Sequence, residues 1–330
     1  MKHARLELAR SADILPPLND EVAVFGQIEL ERLRGLDFAN IRAVSDSFVT
    51  SKMLSAAGIE IKRKLDVETA NAVVFIPRAK AEAWQLISMA IQSAPQGWII
   101  VDGQKTDGIE SIAKEIARSV TDIASYSKGH GKTIWFRAED AQNFQITLGP
   151  SVNKDGFLTA PGVFSADSVD LASAFLIETI PNELSGEIAD IGSGWGYLSA
   201  CVLAENPKIK TMHLIEDNAT ALDCARQNVT DPRASFHWAN ALTWRAPKLL
   251  DAILMNPPFH TGRSAEPSLG ISFINIAARA LRPGGVLYMV ANAHLPYEPA
   301  LEQSFVDVEV MARTTRFKIF CAKRGRNKIL

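Results

Sequence analysis

The chain has 330 residues, 47% of them hydrophobic and 22% charged, with 35 Lys or Arg against 37 Asp or Glu. This length allows about two domains, each able to bury its own core, and the near-neutral balance gives no reason by itself to expect a polyanion partner. No apolar stretch approaches the roughly 20 residues of a membrane span, and Met1-Lys2-His3-Ala4-Arg5-Leu6-Glu7 lacks the apolar core of a secretion signal.

Cys201, Cys224 and Cys321 have neither metal-ligand nor redox spacing, which suits a reducing cytosol. A cytoplasmic monomer with no metal site and no membrane contact is the expectation.

In the first half, the apolar run Val22-Ala23-Val24-Phe25 reads as a strand that turns at Gly26. Val73-Val74-Phe75-Ile76 reads as a second strand closed by Pro77. Ala81 to Ile91 has helical spacing, stopped by Pro95-Gln96-Gly97. Trp98-Ile99-Ile100-Val101 is a third strand, Ile109 to Val120 a helix, and Thr133-Ile134-Trp135-Phe136 another strand. Strands alternating with helices predict a parallel, doubly wound sheet. Residues 141–160 carry Gly, Pro and Asn with no firm period and read as a linker.

The second half repeats the alternation with more chemistry. Asp167 to Ile180 reads as a helix. Gly186 to Ile191 is a strand that runs into Gly192-Ser193-Gly194-Trp195-Gly196, after which Tyr197 to Glu205 is helical. Met212 to Glu216 is the next strand and Ala219 to Asn228 the next helix. Ser235-Phe236-His237-Trp238 leads to Asn240, and Asp251 to Met255 leads to Asn256-Pro257-Pro258-Phe259. A helix from Ser272 to Leu281 stops at Arg282-Pro283-Gly284-Gly285, and Val286 to Val290 and Thr315 to Phe320 close the sheet.

Three places could carry chemistry. Gly192, Gly194 and Gly196 permit positive φ and let a ligand lie against bare backbone. Asp190, just before them, would repel a pyrophosphate but could pair with the cationic amino-acid end of S-adenosylmethionine. Glu216, about 20 residues beyond, ends the next strand where an acid can take both ribose hydroxyls. That spacing suits a nicotinamide cofactor equally well. Asn240 stands after the third strand, where an adenine amine could be bound.

The third place is the strand end itself. Two prolines hold Asn256 and Phe259 in a stiff loop at the carboxyl end of a strand, the side on which open α/β sheets bind ligands. The Asn256 amide oxygen and the Pro257 carbonyl could accept both hydrogens of a planar NH2 group while Phe259 stacks on its ring. Asn-Pro-Pro-Phe is similar to the motif of enzymes that methylate exocyclic or amide nitrogens, and with Asp190 it favours the methyl donor. His260 suits a substrate or loop-packing role, His294 a capped loop, and Trp195 and Trp244 packing, with Trp195 also placed to cover a cofactor.

Taken together, these motifs resemble the ribosomal RNA guanine-N2 methyltransferases, as do Pro161-Gly162-Val163-Phe164-Ser165 and Val290-Ala291-Asn292-Ala293-His294-Leu295-Pro296-Tyr297. The resemblance covers about residues 157–324. It implies a class I fold, S-adenosylmethionine as cofactor, and methylation of a guanine N2 amine in ribosomal RNA, of the small subunit ahead of the large, with ribosomal RNA or a subunit as partner. Asp190, Gly192 and Gly194 would then hold the methionine end, Glu216 the ribose, and Asn256, Pro257 and Phe259 the base. A protein-glutamine N5-methyltransferase uses the same four residues and is the alternative.

Two further expectations concern the ends. Residues 1–140 align with the second half strand by strand, so the chain is expected to be two tandem methyltransferase-type domains. The first would be a degenerate copy kept for folding or RNA docking, and 161–330 the catalytic domain. From Met311 to Leu330 there are seven Lys or Arg and no acid, against ten basic and eighteen acidic residues in 151–310. This basic end could contact phosphate, or Arg316 and Lys318 could be the solvent face of a last strand.

Overall fold

In the computed structural model, which describes residues 5–18, 20–141, 144, 149–258, 260–261, 264–265 and 267–326, the chain divides into two compact units, 1–149 and 150–330. Unit one contains α1 (Arg5–Ser11), β1 (Val22–Gly26), β2 (Ile41–Val44), α2 (Phe48–Ala56), β3 (Glu60–Lys62), β4 (Asn71–Phe75) and α3 (Lys80–Ser93). After these come β5 (Trp98–Gln104), α4 (Ile109–Ile116), β6 (Ala124–Lys128) and β7 (Gly131–Arg137). The seven strands form one sheet in the order β3-β2-β1-β4-β5-β7-β6. β4 is buried at every residue because it lies mid-sheet with both faces covered, which is why it reads as an unbroken apolar run.

Unit two opens with a hairpin, β8 (Ser151–Val152) and β9 (Leu158–Thr159), then α5 (Leu171–Thr179), β10 (Gly186–Ile191), α6 (Tyr197–Glu205), β11 (Ile209–Glu216) and α7 (Ala219–Asn228). It continues with β12 (Ala234–Trp238), β13 (Leu250–Met255), the short pair β14 (His260–Thr261) and β15 (Ser264–Ala265), α8 (Pro267–Ala280), β16 (Leu281–Asn292), α9 (Glu298–Ser304), β17 (Asp307–Arg313) and β18 (Phe317–Lys323). Its sheet runs β12-β11-β10-β13-β16-β18-β17. Numbering only the strands of each seven-stranded sheet in chain order, both have the order 3-2-1-4-5-7-6. The hairpin belongs to this second unit: Asn228 of α7 donates to Leu158 O and accepts from Leu158 N, each at 2.8 Å.

Neither sheet is wholly parallel, which corrects the expectation from strand–helix alternation. β7 pairs antiparallel with both β5 and β6, and β18 does the same with β16 and β17. The last strand of each unit returns through a hairpin and inserts between its two predecessors. That slot is buried on both faces, so Lys318, expected on a solvent face, is only 6% exposed. Its ammonium pairs with Glu298 and donates to Leu295 O.

The strand register shows where the first unit differs from the second. Phe25 of β1 pairs with Val44 and Val74, the lattice position that Asp190 of β10 holds between Leu214 and Leu254. Phe25 is fully buried there, and Ile76 follows β4 where Asn256 follows β13. Apolar side chains fill the positions of both polar ones. The first unit thus repeats the strand order of the second with apolar residues at both positions.

Candidate active site

The site forms where β10, β11 and β13 end. The glycine turn after β10 is stitched to the end of β11, as the N–H groups of Gly192 and Ser193 donate to Ile215 O at 2.9 and 3.1 Å. All three glycines of the turn have positive φ, at 81°, 54° and 91°. Their surroundings differ. A side chain at Gly192 or Gly194 would meet nothing within 4 Å, whereas one at Gly196 would press on Ala225 of α7 and on Val229, which caps it. The first two therefore leave bare backbone for a ligand, and the third permits helix packing.

Beneath the turn Asp190 is completely buried. Its Oδ2 accepts from the Ser199 hydroxyl at 2.8 Å, but Oδ1 has no hydrogen-bond partner among the described residues. Burial first, and then the charge of Glu216, push its carboxyl up to about 7. The Ser193 hydroxyl of the same turn is also buried without a partner. Unsatisfied buried oxygens are costly, so this turn suits a ligand that brings a cation and hydrogen-bond donors. These residues fit the amino-acid end of S-adenosylmethionine.

Glu216 points back to the turn. Its Oε2 accepts from Gly194 N and its Oε1 from Asn218 N, both at 2.8 Å. Burial raises its carboxyl pKa and these backbone hydrogen bonds lower it, for a net rise. Each oxygen keeps a second lone pair, so a ribose diol could still be received. Asn240 is one turn further out. Its Oδ1 accepts from Leu242 N and its carbonyl from the N–H groups of Thr243 and Trp244, so it caps the loop after β12. It does not line the cleft with the glycines.

The cleft is open to solvent, with Gly192, Ser193 and Gly194 among its lining residues together with Asp170, Ser173 and Asn256. Asn256 Nδ2 donates to Asp170 Oδ2 at 3.0 Å and to Ser173 Oγ at 2.9 Å. With the amide nitrogen donating to Asp170 and Ser173, the Asn256 Oδ1 faces away from them. Asp170 is fixed in turn as the N-cap of α5, accepting from Ser173 N at 2.8 Å. Sequence reasoning missed Asp170 and Ser173. The only signal was an Asp three residues before a Ser at a helix start, a common capping pattern that carries no catalytic implication.

Phe164 and Trp195 also line the cleft. Phe164 is 60% exposed, and its carbonyl accepts from Trp195 Nε1 at 2.9 Å. The Trp195 ring packs on Phe157 and Tyr197 with centroids 5.0 and 5.9 Å away, so it both packs and lines the cleft. Trp244 packs on His213 and His237, away from the glycine turn. Pro257 is buried and Pro258 exposed. Phe259, expected to stack on a base, lies outside the described residues, as does the side chain of His260. His294 is exposed in a turn closed by Leu295 N donating to Asn292 O.

Residues 154–321 match the methyltransferase small domain family. The chain is 30% identical over 301 residues to the ribosomal RNA small subunit methyltransferase C of Klebsiella pneumoniae, covering 86% of each chain. It is 30% identical over 300 residues to that of Escherichia coli, covering 87% of each. The fold is shared with a solved structure, the T. thermophilus 16S rRNA N2 G1207 methyltransferase (RsmC) in complex with AdoMet and guanosine. The TM-score is 0.80 at 22% identity, covering 98% of this chain and 91% of that one.

Proposed function

This chain belongs to the ribosomal RNA small subunit methyltransferase C family, within the methyltransferase small domain family, and on that premise we propose that it moves a methyl group from S-adenosylmethionine to the exocyclic N2 amine of a guanine in small-subunit ribosomal RNA. The observation that carries the reading is the Asn256 amide, locked by Asp170 and Ser173 in the same cleft as the glycine turn. An acceptor with fixed orientation is what an NH2 group needs.

Bound at the turn, the cofactor supplies an electrophilic methyl group carried on a sulfonium. The protein's own work is alignment and exclusion of water. Asp190 would pair with the ammonium, Glu216 would accept from the ribose hydroxyls, and Asn240 would border the adenine. Asn256 Oδ1, with the Pro257 carbonyl beside it, would accept the amine hydrogens in the plane of the base and hold the nitrogen toward the methyl. Phe259 would stack on a base taken out of its helix or presented in a single strand.

The first unit is assigned to folding or RNA docking, a reading supported by Phe25 and Ile76 in the places of Asp190 and Asn256.

The whole reading is tested by incubating the full chain with small-subunit ribosomal RNA and S-adenosylmethionine, then mapping modified nucleosides by mass. One N2-methylguanine is expected. Methylation confined to large-subunit RNA, or to a protein glutamine, would overturn it. Glu216→Ala is expected to weaken S-adenosylmethionine binding by about 1–3 kcal/mol, the range for a charged hydrogen bond. Calorimetry showing an unchanged affinity would remove Glu216 from the cofactor site.

A further inference from the structure

The basic end of the chain does not stay together in the fold. β16 and β17 run parallel to β13, and β18 runs back between them. The β17–β18 turn therefore lies at the carboxyl edge of the sheet, the edge that carries Asn256. Phe317 pairs with Asn292 and Lys318 with Arg313 at this edge, while Lys323 pairs with Val286 and Asp307 at the opposite one. Arg313 and Arg316 are thus separated from Lys323, Arg324 and Arg326 by the length of β18. Arg324 is engaged at the far edge, with Nη1 donating to the carbonyls of Arg279 and Leu281.

The position of this turn relative to the cleft follows from sheet geometry. β13 and β18 are two strand spacings apart, about 10 Å. Met255 pairs with Met289, so Asn256 is level with Val290, and the Asn292–Phe317 pair stands two residues, about 7 Å, beyond it. The turn rises beside the cleft and above its floor.

It is also built to present charge. Thr314 Oγ1 accepts from the N–H groups of Arg316 and Phe317 at 3.2 and 3.0 Å, and Thr314 N donates to Phe317 O at 2.8 Å. Ala293 N donates to Arg316 O at 2.8 Å, which joins the turn to the loop of His294. Arg313 and Arg316 are both exposed, and neither is ion-paired among the described residues. Glu298, on the neighbouring helix α9, is paired with Lys318. The Arg316 guanidinium lies over the Phe317 ring, 5.1 Å from its centroid.

Other described arginines of this unit sit elsewhere. Arg226 ends α7, Arg233 precedes β12, Arg245 lies in the loop before β13, and Arg279 and Arg282 flank the start of β16. All lead into the amino ends of parallel strands. On a unit whose residues 151–310 are predominantly acidic, the β17–β18 turn is a local cationic ridge beside the cleft.

We propose that Arg313 and Arg316 grip the phosphates of the nucleotides flanking the target guanine, so that this turn, and not the basic chain end as a whole, is the RNA contact of the catalytic unit. The inference rests on the ribosomal RNA reading above. A base drawn into the cleft leaves its neighbours' phosphates at the rim, and a pair of exposed guanidiniums there would set the register of the strand without reading its sequence.

The test is the salt dependence of binding of the full chain to transcribed small-subunit ribosomal RNA, compared with the R313Q/R316Q and K323Q/R326Q variants. Loss of two phosphate contacts lowers the slope of log affinity against log salt by about 1.4 and affinity at physiological salt by about tenfold. R313Q/R316Q is expected to show both, with S-adenosylmethionine affinity and melting temperature unchanged. Each single substitution should show about half the slope change, and K323Q/R326Q should match the unaltered chain. If the unaltered chain methylates RNA while R313Q/R316Q keeps its slope, or if K323Q/R326Q loses as much, this proposal alone is overturned. A chain that neither binds nor methylates the RNA would overturn the ribosomal reading and this proposal with it.

Discussion

Asn256→Ala is expected to lower the rate of methyl transfer by about 10²–10³-fold, the scale for losing one preorganised polar contact to the reacting group. S-adenosylmethionine affinity should stay near that of the unaltered chain, because the polar partners described for Asn256 are Asp170 and Ser173, not the glycine turn. Single-turnover kinetics beside calorimetry separate the two. A variant that keeps most of its rate would place the target amine elsewhere, and loss of both rate and cofactor binding would make the loop structural.

Asp170→Asn refines the test. Asparagine caps a helix about as well as aspartate, so α5 should persist and the melting temperature should hold. An amide at position 170 can donate as well as accept, however, so it no longer dictates which side of the Asn256 amide faces the cleft. The rate should fall with the fold intact, by less than for Asn256→Ala. Full activity in Asp170→Asn would show that the orientation of Asn256 is set without that carboxylate.

The way these residues meet explains what could and could not be read from the chain. β4, β5 and β13 were legible because a central strand is buried on both faces and therefore appears as a continuous apolar run. β3, Glu60-Ile61-Lys62, and β6, Ala124-Ser125-Tyr126-Ser127-Lys128, are edge strands at the two ends of their sheet, with polar or charged residues on exposed positions. Their sequences carry no such run, and they went unread. β17, Asp307–Arg313, was missed for the same reason at the edge of the second sheet.

The antiparallel direction of β7 and β18 depends on which slot in the sheet a returning hairpin fills, and no local pattern encodes that choice. At the site, Asp190, Gly192, Gly194, Glu216 and Asn256 were legible because each stands next to the end of an apolar strand. Asp170 was not, standing 86 residues before Asn256 and looking like any helix cap. The residues proposed to act on a ligand left local signatures, whereas the one proposed to orient Asn256 became visible only once the chain had folded.

Asp190→Asn is expected to weaken S-adenosylmethionine binding by about 3 kcal/mol, on the order of 100-fold, because it would leave the ammonium beneath the turn without its counter-charge. The pH dependence makes the assignment specific. In the free chain burial and the neighbouring Glu216 raise the Asp190 carboxyl from 3.8 to about 7. The folded chain therefore holds this proton more tightly than the unfolded chain does. The stability contributed by this group is fully present below pH 3.8 and is lost as pH rises from there through about 7. Binding runs the other way, since only the ionised carboxylate attracts an ammonium, so the cofactor must displace the proton below the folded pKa. Affinity should accordingly rise by up to about tenfold per pH unit below about 7 and then level off. Proton release on binding should be measurable in buffers of different ionisation enthalpy at pH 6 and vanish in Asp190→Asn, whose affinity profile should be much flatter. Glu216 is raised in the same direction by its own burial, so Glu216→Gln serves as the control: it should lower affinity while leaving most of the slope near pH 6 in place. If Asp190→Asn keeps both the affinity and the slope, the buried carboxylate is part of the scaffold of the turn and the ammonium is held by another group.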